Sequence, residues 1–195
     1  MNQCKLCHDN IYNGTLYHYL FTNDIICYKC RKLWNYKPTT IKRYNIKIRS
    51  YYTYESTRHA IIQYKECYDE SLYDIFLYRI LWDIKLRYIG YTIILAPSSN
   101  KALNERGFNH LYLIFKCLNM PILDVLYKIS NKQQKTNNYQ DRKEIINDIK
   151  IKKDIVLPKK ILVVDDIVTS GGTILAIKEC LKDYNIKIKY LTLIY

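Results

Sequence analysis

Residues 161–174, ILVVDDIVTSGGTI, are the most informative stretch of the chain. The first four are aliphatic, which predicts a short buried strand. Two carboxylates follow, then a turn of hydroxyl residues and glycines, and a helix is predicted to begin near Thr173. Two of the five glycines of the chain, Gly171 and Gly172, stand together in this turn. A strand, an acidic pair, a glycine turn and a helix in this order are typical of a ligand site at the edge of a parallel sheet.

The side chains of this stretch suit a ribose phosphate. Asp165 and Asp166 end the strand, where their carboxylates can accept hydrogen bonds from the two hydroxyls of a ribose. Glycine allows the backbone N–H groups of the turn to come close around a phosphate, and the start of the helix adds the positive end of its dipole. The residues that we assign to the phosphate are Thr169, Ser170, Gly171, Gly172 and Thr173.

Two other classes of phosphate-binding protein lack their required residues here. A P-loop needs a Gly-Lys-Ser/Thr sequence, and no glycine in this chain is followed by lysine. A dinucleotide fold needs GxGxxG, which is also absent. A strand and turn without any ligand would leave unexplained why two carboxylates stand beside a hydroxyl-rich glycine turn.

Strands and helices alternate around this stretch, so an α/β fold with a mostly parallel sheet and right-handed crossovers is predicted. Strands are expected within residues 42–54 and at 93–96, 123–129, 161–164 and 188–194. Helices are expected within 55–89 and at 108–118, 139–149 and 173–182, with a mobile polar loop at 131–138.

Two CxxC pairs near the start predict a metal site. Cys4 and Cys7 form the first pair, Cys27 and Cys30 form the second, and 19 residues separate the pairs. Four thiolates match the tetrahedral geometry of zinc, whereas a redox function would not require two pairs. We therefore predict a structural zinc module over residues 1–36 and a larger domain over 37–195. Within that domain, residues 37–89 are lead-in strands and helices and residues 90–195 are the core.

The chain is strongly basic, with a formal net charge of +13, and the charge is concentrated in its first 60 residues. Within residues 31–58 the cations alternate with aromatic rings, namely Trp34, Tyr36, Tyr44, Tyr51, Tyr52 and Tyr54. Alternating cations and rings suit single-stranded nucleic acid, because phosphates meet charge while bases stack on rings. An AT-rich genome also yields such a composition, and the rings could equally be packing residues, so both interpretations stay open.

The sequence VVDDIVTSGGT resembles the signature of type I phosphoribosyltransferases. The resemblance implies that Asp165 and Asp166 bind the ribose and that residues 169–173 bind the 5-phosphate. In the 6-oxopurine salvage enzymes of that family, the position matching Thr169 is an aspartate that contacts the base. Thr169 therefore argues against hypoxanthine-guanine salvage.

Further motifs extend the resemblance over nearly the whole chain, to the ComF family of competence-associated, phosphoribosyltransferase-like proteins. These motifs are the four cysteines, Pro97-Ser98-Ser99, Arg106-Gly107-Phe108-Asn109, and Gln134 with Arg142 eight residues later. The resemblance implies that Ser98 and Ser99 hold a pyrophosphate and that Gln134 and Arg142 bracket a loop that closes over the ligand. Arg106 would stabilise the leaving group, which makes Asp165, Asp166 and Arg106 the candidate catalytic residues.

Two departures from the ComF pattern stand in this chain. Ile145 occupies a position where the family often has asparagine, and the loop after Pro97 is shorter and less basic than usual. They affect the parts of the resemblance that concern Gln134, Arg142 and the pyrophosphate.

The implied activity is transfer of a phosphoribosyl group from phosphoribosyl pyrophosphate with Mg²⁺, in a protein linked to DNA uptake and natural transformation. The competing hypothesis is a non-catalytic protein that binds single-stranded DNA and competence proteins and uses the pocket as a ligand sensor. The sequence identifies neither an acceptor nor a general base, so both hypotheses stand. With no apolar leader and no apolar run of ~20 residues, we expect a cytoplasmic protein without a membrane span.

Overall fold

The computed structural model of the protein describes residues 3–11, 24–129 and 148–195, with every side chain in these ranges except those of Asn100 and Lys101. The helices are α1 (Tyr28–Leu33), α2 (Tyr54–Lys65), α3 (Leu81–Arg87), α4 (Asn100–Arg106), α5 (His110–Lys116) and α6 (Gly172–Cys180), with a 3₁₀ turn at Glu70–Leu72. The strands are β1 (Tyr36–Arg43), β2 (Ile46–Tyr52), β3 (Thr92–Leu95), β4 (Ile122–Leu123), β5 (Leu126–Lys128), β6 (Ile149–Ile151), β7 (Lys160–Ile167) and β8 (Lys187–Ile194).

Six of these strands form one sheet in the order β1-β2-β8-β7-β3-β4. All neighbouring pairs are parallel except β1 and β2, which form an antiparallel hairpin at one edge. Tyr44 and Asn45 turn this hairpin, both with positive φ, as a two-residue connection between twisted strands requires. The predicted mostly parallel sheet flanked by helices is therefore confirmed.

The central strand β7 is covered on both faces. Ile161, Leu162, Val163 and Val164 are each at most 1% exposed. A strand buried on both sides is a continuous apolar run rather than an alternating one, which is why ILVV stands out in the sequence. The first polar side chains after this run, Asp165 and Asp166, consequently lie at the carboxyl edge of the sheet.

The cysteine-containing segment packs directly against the larger domain. Cys4, Ile26, Cys27 and Trp34 belong to the same buried apolar cluster as the sheet. Lys5 Nζ lies 2.6 Å from Asp74 Oδ2, and the buried Asp24 accepts a 2.6 Å hydrogen bond from the hydroxyl of Tyr78. The segment thus shares its core with residues 70–80, while the predicted boundary at residue 36 stays a prediction.

The connection between β3 and β7 differs from the expected pattern. The single strand predicted at 123–129 is two short strands: β4 pairs in parallel with β3, and β5 pairs antiparallel with β6 in a second, two-stranded sheet. Asp124 and Val125 separate them, because a strand that changes sheet must leave one ladder before joining another. The helix expected at 139–149 lies outside the described residues except for its end, where Ile149 begins β6. The loop expected at 131–138 also lies outside the described residues.

Helix α4, at Asn100–Arg106, was not expected from the sequence. It has only seven residues, too few for a periodic apolar pattern to stand out. Its N-cap is a local signal that could have indicated it, since the Ser99 hydroxyl accepts a 3.2 Å hydrogen bond from the N–H of Ala102.

Candidate functional site

A cavity of about 400 Å³ opens at the carboxyl ends of β3 and β7. The parallel register sets Leu95 opposite Val164, so the residues that follow each strand meet at the same edge. Most of the residues predicted to form a ligand site line this cavity together. They are Ser98, Ser99, Arg106, Asp165, Asp166, Thr169, Ser170, Gly172 and Thr173. Gly171 lines an adjoining hollow inside the glycine turn, and Gln134 and Arg142 lie outside the described residues.

The glycine turn leads directly into α6. Gly171 is the N-cap of the helix with a φ of +83°, a left-handed conformation that glycine adopts without steric cost. Its carbonyl accepts a 2.9 Å hydrogen bond from the N–H of Leu175. The first N–H groups of a helix have no acceptor within the helix, and the positive end of the dipole lies among them. The turn therefore presents donors to an anion, as the sequence predicts for a phosphate.

The hairpin turn of β1 and β2 packs on the outer side of the glycine turn. Arg43 Nε donates a 3.2 Å hydrogen bond to the carbonyl oxygen of Thr169. A Cβ atom at Gly171 would lie 2.8 Å from Cβ of Arg43, closer than real Cβ atoms approach. Position 171 therefore requires glycine for two reasons, its positive φ and the close approach of the Arg43 side chain. The sequence contained no signal for this contact, because the two segments are far apart along the chain.

The two acids differ in their surroundings, since successive residues of a strand point to opposite faces. Asp166 is 4% exposed, whereas Asp165 is partly open to solvent. Burial and the neighbouring Asp166 carboxylate raise the pKa of Asp165 from 3.8 to about 7. Burial acts to raise the pKa of Asp166 as well, but the charges of Lys65 and His110 outweigh it and hold that pKa below its ordinary value. Near neutral pH the pair thus carries one fixed charge and one that titrates.

Asp166 is bound by side chains that the sequence analysis missed. Lys65 Nζ, from the end of α2, lies 2.5 Å from Asp166 Oδ2, and His110 Nε2, from the start of α5, lies 2.9 Å from the same oxygen. The other oxygen, Oδ1, accepts a 2.7 Å hydrogen bond from the N–H of Ile167. Asp166 thus lies at the cavity with Oδ1 bonded to the backbone and Oδ2 close to two basic side chains.

Arg106 lines the cavity, and two of its guanidinium nitrogens are already engaged. Nε donates a 3.2 Å hydrogen bond to the carbonyl of Lys65, and Nη1 lies 3.1 Å from Nδ1 of His110. The side chains of the same two residues, Lys65 and His110, also contact Asp166. Arg106 thus lines the same cavity as the acids, and its contact with a pyrophosphate stays a prediction.

The other residues of the RGFN motif build the connection between α4 and α5. Gly107 ends α4 in the left-handed conformation at a φ of +74°, and the Asn109 side chain caps α5 by accepting a 3.1 Å hydrogen bond from the N–H of Tyr112. The ring of Phe108 packs 5.6 Å from the ring of Tyr64. The motif thus holds Arg106 and His110 at the cavity.

Ser98 and Ser99 line the cavity from the connection between β3 and α4. The Ser99 hydroxyl serves as the N-cap of α4. Cations from three separate parts of the chain, Lys65, Arg106 and Lys128, line the same space as the acids. A cavity that combines cations and carboxylates suits a ligand with both phosphate groups and hydroxyls.

The four cysteines come together as predicted. Their sulfurs all lie within 4.8 Å of one another, and Cys7 Sγ is 3.6 Å from Cys27 Sγ. Four sulfurs around one Zn²⁺ at ~2.3 Å are ~3.8 Å apart, so this donor set fits zinc. Cys27 caps α1, and its own N–H donates a 3.2 Å hydrogen bond to Cys4 Sγ. Burial acts to raise the pKa of Cys4, but backbone hydrogen bonds from Cys27, Cys7 and Leu6 outweigh it and lower the pKa to about 7.

The cavity is also compatible with Mg²⁺ brought by a phosphorylated ligand. Its carboxylates, from Asp165, Asp166 and Asp148, are hard oxygen donors of the kind that Mg²⁺ prefers.

None of the helices in the described ranges combines the length and the hydropathy that a membrane span requires.

Comparisons with known proteins match much of this chain. The model of the phosphoribosyl transferase domain family matches residues 106–195, which contain α5, β7, the glycine turn and α6. Competence protein ComFC of Streptococcus pneumoniae is 29% identical over 140 residues, which are 71% of this chain and 63% of that protein. Competence protein ComFC of Bacillus subtilis is 29% identical over 93 residues, which are 47% of this chain and 38% of that protein. The matches span less than two thirds of either relative.

A crystal structure of a hypoxanthine phosphoribosyltransferase from Staphylococcus aureus aligns with a TM-score of 0.41 and 16% sequence identity, over 63% of this chain and 62% of that chain. The family match and the parallel sheet agree with the type I phosphoribosyltransferase fold that the motif predicts. The chain therefore carries a phosphoribosyl transferase domain over residues 106–195 and is similar in sequence to the two ComFC competence proteins.

Proposed function

We propose that the chain binds phosphoribosyl pyrophosphate with Mg²⁺ in the cavity at the carboxyl ends of β3 and β7. The observation that carries this proposal is that the acid pair and the glycine turn line one cavity together. Since both relatives are competence proteins by name, we further propose a cytoplasmic role in DNA uptake during natural transformation.

In this proposal the N–H groups around Gly172 and Thr173 hold the 5-phosphate, and Asp165 accepts a hydrogen bond from a ribose hydroxyl. Ser98 and Ser99, which line the same cavity, are proposed to face the pyrophosphate. Mg²⁺, held mainly by the oxygens of the ligand, would neutralise charge on the leaving group. Gln134 and Arg142 are proposed to close over the ligand, as the ComF resemblance implies.

Calorimetric titration with phosphoribosyl pyrophosphate, with and without Mg²⁺, tests the proposal. We expect binding that Mg²⁺ strengthens and that Asp165→Ala weakens about tenfold, because a hydrogen bond to the ribose is lost. Asp183→Ala removes an exposed carboxylate away from the cavity and should leave binding unchanged. Absence of binding by the unaltered protein in both conditions would refute the proposal.

Release of pyrophosphate in a screen of bases and nucleotides tests for catalysis separately. Release that depends on one acceptor would identify the chain as a transferase. Tight binding without release across the screen would favour the ligand-sensing hypothesis.

A second candidate function, binding of single-stranded DNA, is favoured by one observation. The β1–β2 hairpin exposes cations along the edge of the sheet, namely Lys37, Lys42, Arg43 and Lys47, with Tyr44 exposed at its turn. The rings are less available than the sequence suggested. Trp34, Tyr51 and Tyr52 are buried in the core, so they pack and do not offer a stacking surface. The hairpin therefore offers mainly charge.

Lys37→Gln/Lys42→Gln/Lys47→Gln tests this second function without altering Arg43, which contacts the glycine turn. We expect weaker binding of an oligo(dT) and a slope of log K against log salt that is smaller by about 2, since each lost phosphate contact contributes ~0.7. Lys159→Gln/Lys160→Gln/Lys187→Gln is the matched control, because these exposed residues lie at the amino ends of β7 and β8. Equal losses in the two triple variants would indicate a general effect of net charge and would refute a hairpin site.

A further inference from the structure

We propose that Arg106 and His110 are positioning residues, which together hold Asp166 in the orientation that accepts a ribose hydroxyl. This inference rests on the proposed function and deepens it. Arg106, the cation of the RGFN motif, would then act by orienting His110 and would not contact the pyrophosphate directly. His110 was not part of any predicted site.

The chemistry of the three side chains allows one arrangement of protons. A guanidinium can only donate, so His110 Nδ1, 3.1 Å from Arg106 Nη1, must be the acceptor. The ring proton of the neutral imidazole is then on Nε2, the nitrogen that lies 2.9 Å from Asp166 Oδ2. Arg106 thus selects the tautomer that binds Asp166, in the way that a buried partner fixes a catalytic histidine.

The imidazole is itself held in place from several sides. The His110 side chain is only 5% exposed, and its backbone carbonyl accepts a 2.8 Å hydrogen bond from the buried hydroxyl of Tyr64. Asn109 caps the helix on which His110 is the first residue. Burial lowers the pKa of His110 despite the opposing effect of Asp166, which agrees with a neutral ring. A rigid neutral donor suits a residue that orients a carboxylate.

An acceptor site on Asp166 remains for the ligand. A carboxylate offers about four lone-pair sites; Oδ1 accepts one hydrogen bond, from the N–H of Ile167, while Lys65 and His110 both lie within 2.9 Å of Oδ2. The Lys65 side chain is 23% exposed and flexible, so its site can exchange, whereas the His110 contact is buried. His110 is therefore the contact that keeps the carboxylate in one orientation when a ribose hydroxyl binds.

Calorimetry with two ligands separates positioning of the carboxylate from collapse of the pocket. Inorganic phosphate probes the anion-binding contacts of the cavity, and ribose 5-phosphate adds the contacts of the hydroxyls. His110→Gln retains a donor near the Nε2 position, His110→Asn retains an acceptor near the Nδ1 position, and His110→Leu retains neither. His59→Leu, on the exposed face of α2, is the matched control.

We expect His110→Leu and His110→Asn to lose about tenfold in affinity for ribose 5-phosphate, while His110→Gln keeps most of it. Phosphate affinity should stay within about twofold in every variant. Unchanged ribose 5-phosphate binding in His110→Leu would overturn the inference, and so would a parallel loss of phosphate binding. If the unaltered protein binds ribose 5-phosphate no better than phosphate, the proposed function itself fails.

The tautomer can be measured without any ligand. In a ¹⁵N spectrum of the histidine side chains, we expect His110 as the Nε2–H tautomer in the unaltered protein and in Arg106→Lys, which keeps a donor. Arg106→Met should give a mixture of tautomers. An Nδ1–H tautomer in the unaltered protein would overturn the inference whatever the calorimetry shows.

Discussion

Asp165 and Asp166 are adjacent in sequence and differ in charge behaviour, because they lie on opposite faces of one strand. Asp166 contacts two basic side chains, whereas Asp165 has the Asp166 carboxylate as its neighbour. Two acids whose surroundings separate their pKa values are a common arrangement at functional sites. Ionised Asp165 destabilises the folded protein when the cavity is empty, and a bound ligand that donates a hydrogen bond to it would offset this effect.

Removal of the Asp165 charge should stabilise the empty protein above neutral pH. The folded-state pKa is about 7 and the ordinary value is 3.8, so between these values the folded state holds a proton that the unfolded state has lost. The contribution of Asp165 to the stability of the unaltered protein therefore falls as pH rises from about 4 to about 7. We expect Asp165→Asn to be more stable by on the order of 1–2 kcal/mol at pH 8 and by almost nothing at pH 4.

Thermal unfolding across this pH range measures the difference. Asp183→Asn, an exposed position, should parallel the unaltered protein at every pH. A constant difference between Asp165→Asn and the unaltered protein from pH 4 to 8 would contradict the raised pKa.

Gly171→Ala should both destabilise the fold and weaken phosphate binding. The new Cβ would lie 2.8 Å from Cβ of Arg43, and the φ of +83° adds strain. Gly90→Ala is the matched control, because its φ is +74° but no atom lies within 4 Å of the added Cβ. We expect ~1 kcal/mol of destabilisation at Gly90 and roughly twice that at Gly171 in chemical denaturation. Equal losses of unfolding free energy at the two positions would show that Arg43 moves away from the added Cβ without an energetic penalty.

At the level of elements, the helices and strands that have a local sequence signal could be predicted. Contacts between elements that are distant in sequence could not. The strand, the acids and the helix within residues 161–180 could be predicted, because the apolar run, the glycine pair and the helical spacing of apolar residues follow one another in a single short stretch. The sequence could not show that β4 and β5 are two strands. They differ in their pairing partners, β3 for β4 and β6 for β5, and a partner distant in sequence leaves no local signal. Lys65 and Arg43 reach the site from the ends of α2 and β1, and nothing in their local sequence indicates this.

The cysteine element should depend on zinc for its order. Its N–H groups at Lys5 and His8 bond to Ile25 and Cys4 backbone oxygens, and these contacts need the two CxxC turns to be held together. We expect chelation, or Cys4→Ser, to remove hydrogen-exchange protection at these amides and to lower Tm by roughly 5–10 °C. Metal analysis should give one zinc per chain, retained by Cys67→Ser, whose thiol is exposed and outside the cluster. Full protection in chelator would refute a structural metal.

For the molecule as a whole, Trp34 joins the cysteine element to the α/β domain. Its ring lies 5.2 Å from the ring of Tyr52 and 5.8 Å from that of Phe76, and the residue is 8% exposed. Because these residues belong to one apolar cluster, the two parts should unfold in one transition when zinc is bound.

Trp34→Ala should therefore cost about 3–5 kcal/mol of the unfolding free energy of the whole chain. Trp82→Ala is the matched control, since the second tryptophan is 70% exposed and should cost under about 0.5 kcal/mol. Denaturation followed by circular dichroism gives both values. Two separate transitions in the unaltered protein would contradict a shared core.

The edges of the main sheet bear on how the protein behaves at high concentration. At one edge β1 contains Pro38, which lacks an N–H donor, its pairing with β2 shifts register between Tyr36 and Thr39, and its lysines face solvent. At the other edge β4 is only two residues long. An open sheet edge can recruit a strand from another molecule, and proline, irregular pairing, lysine and shortness each oppose this. Both ends of the sheet thus resist strand addition, so a basic, tyrosine-rich chain can accumulate without forming intermolecular β-structure.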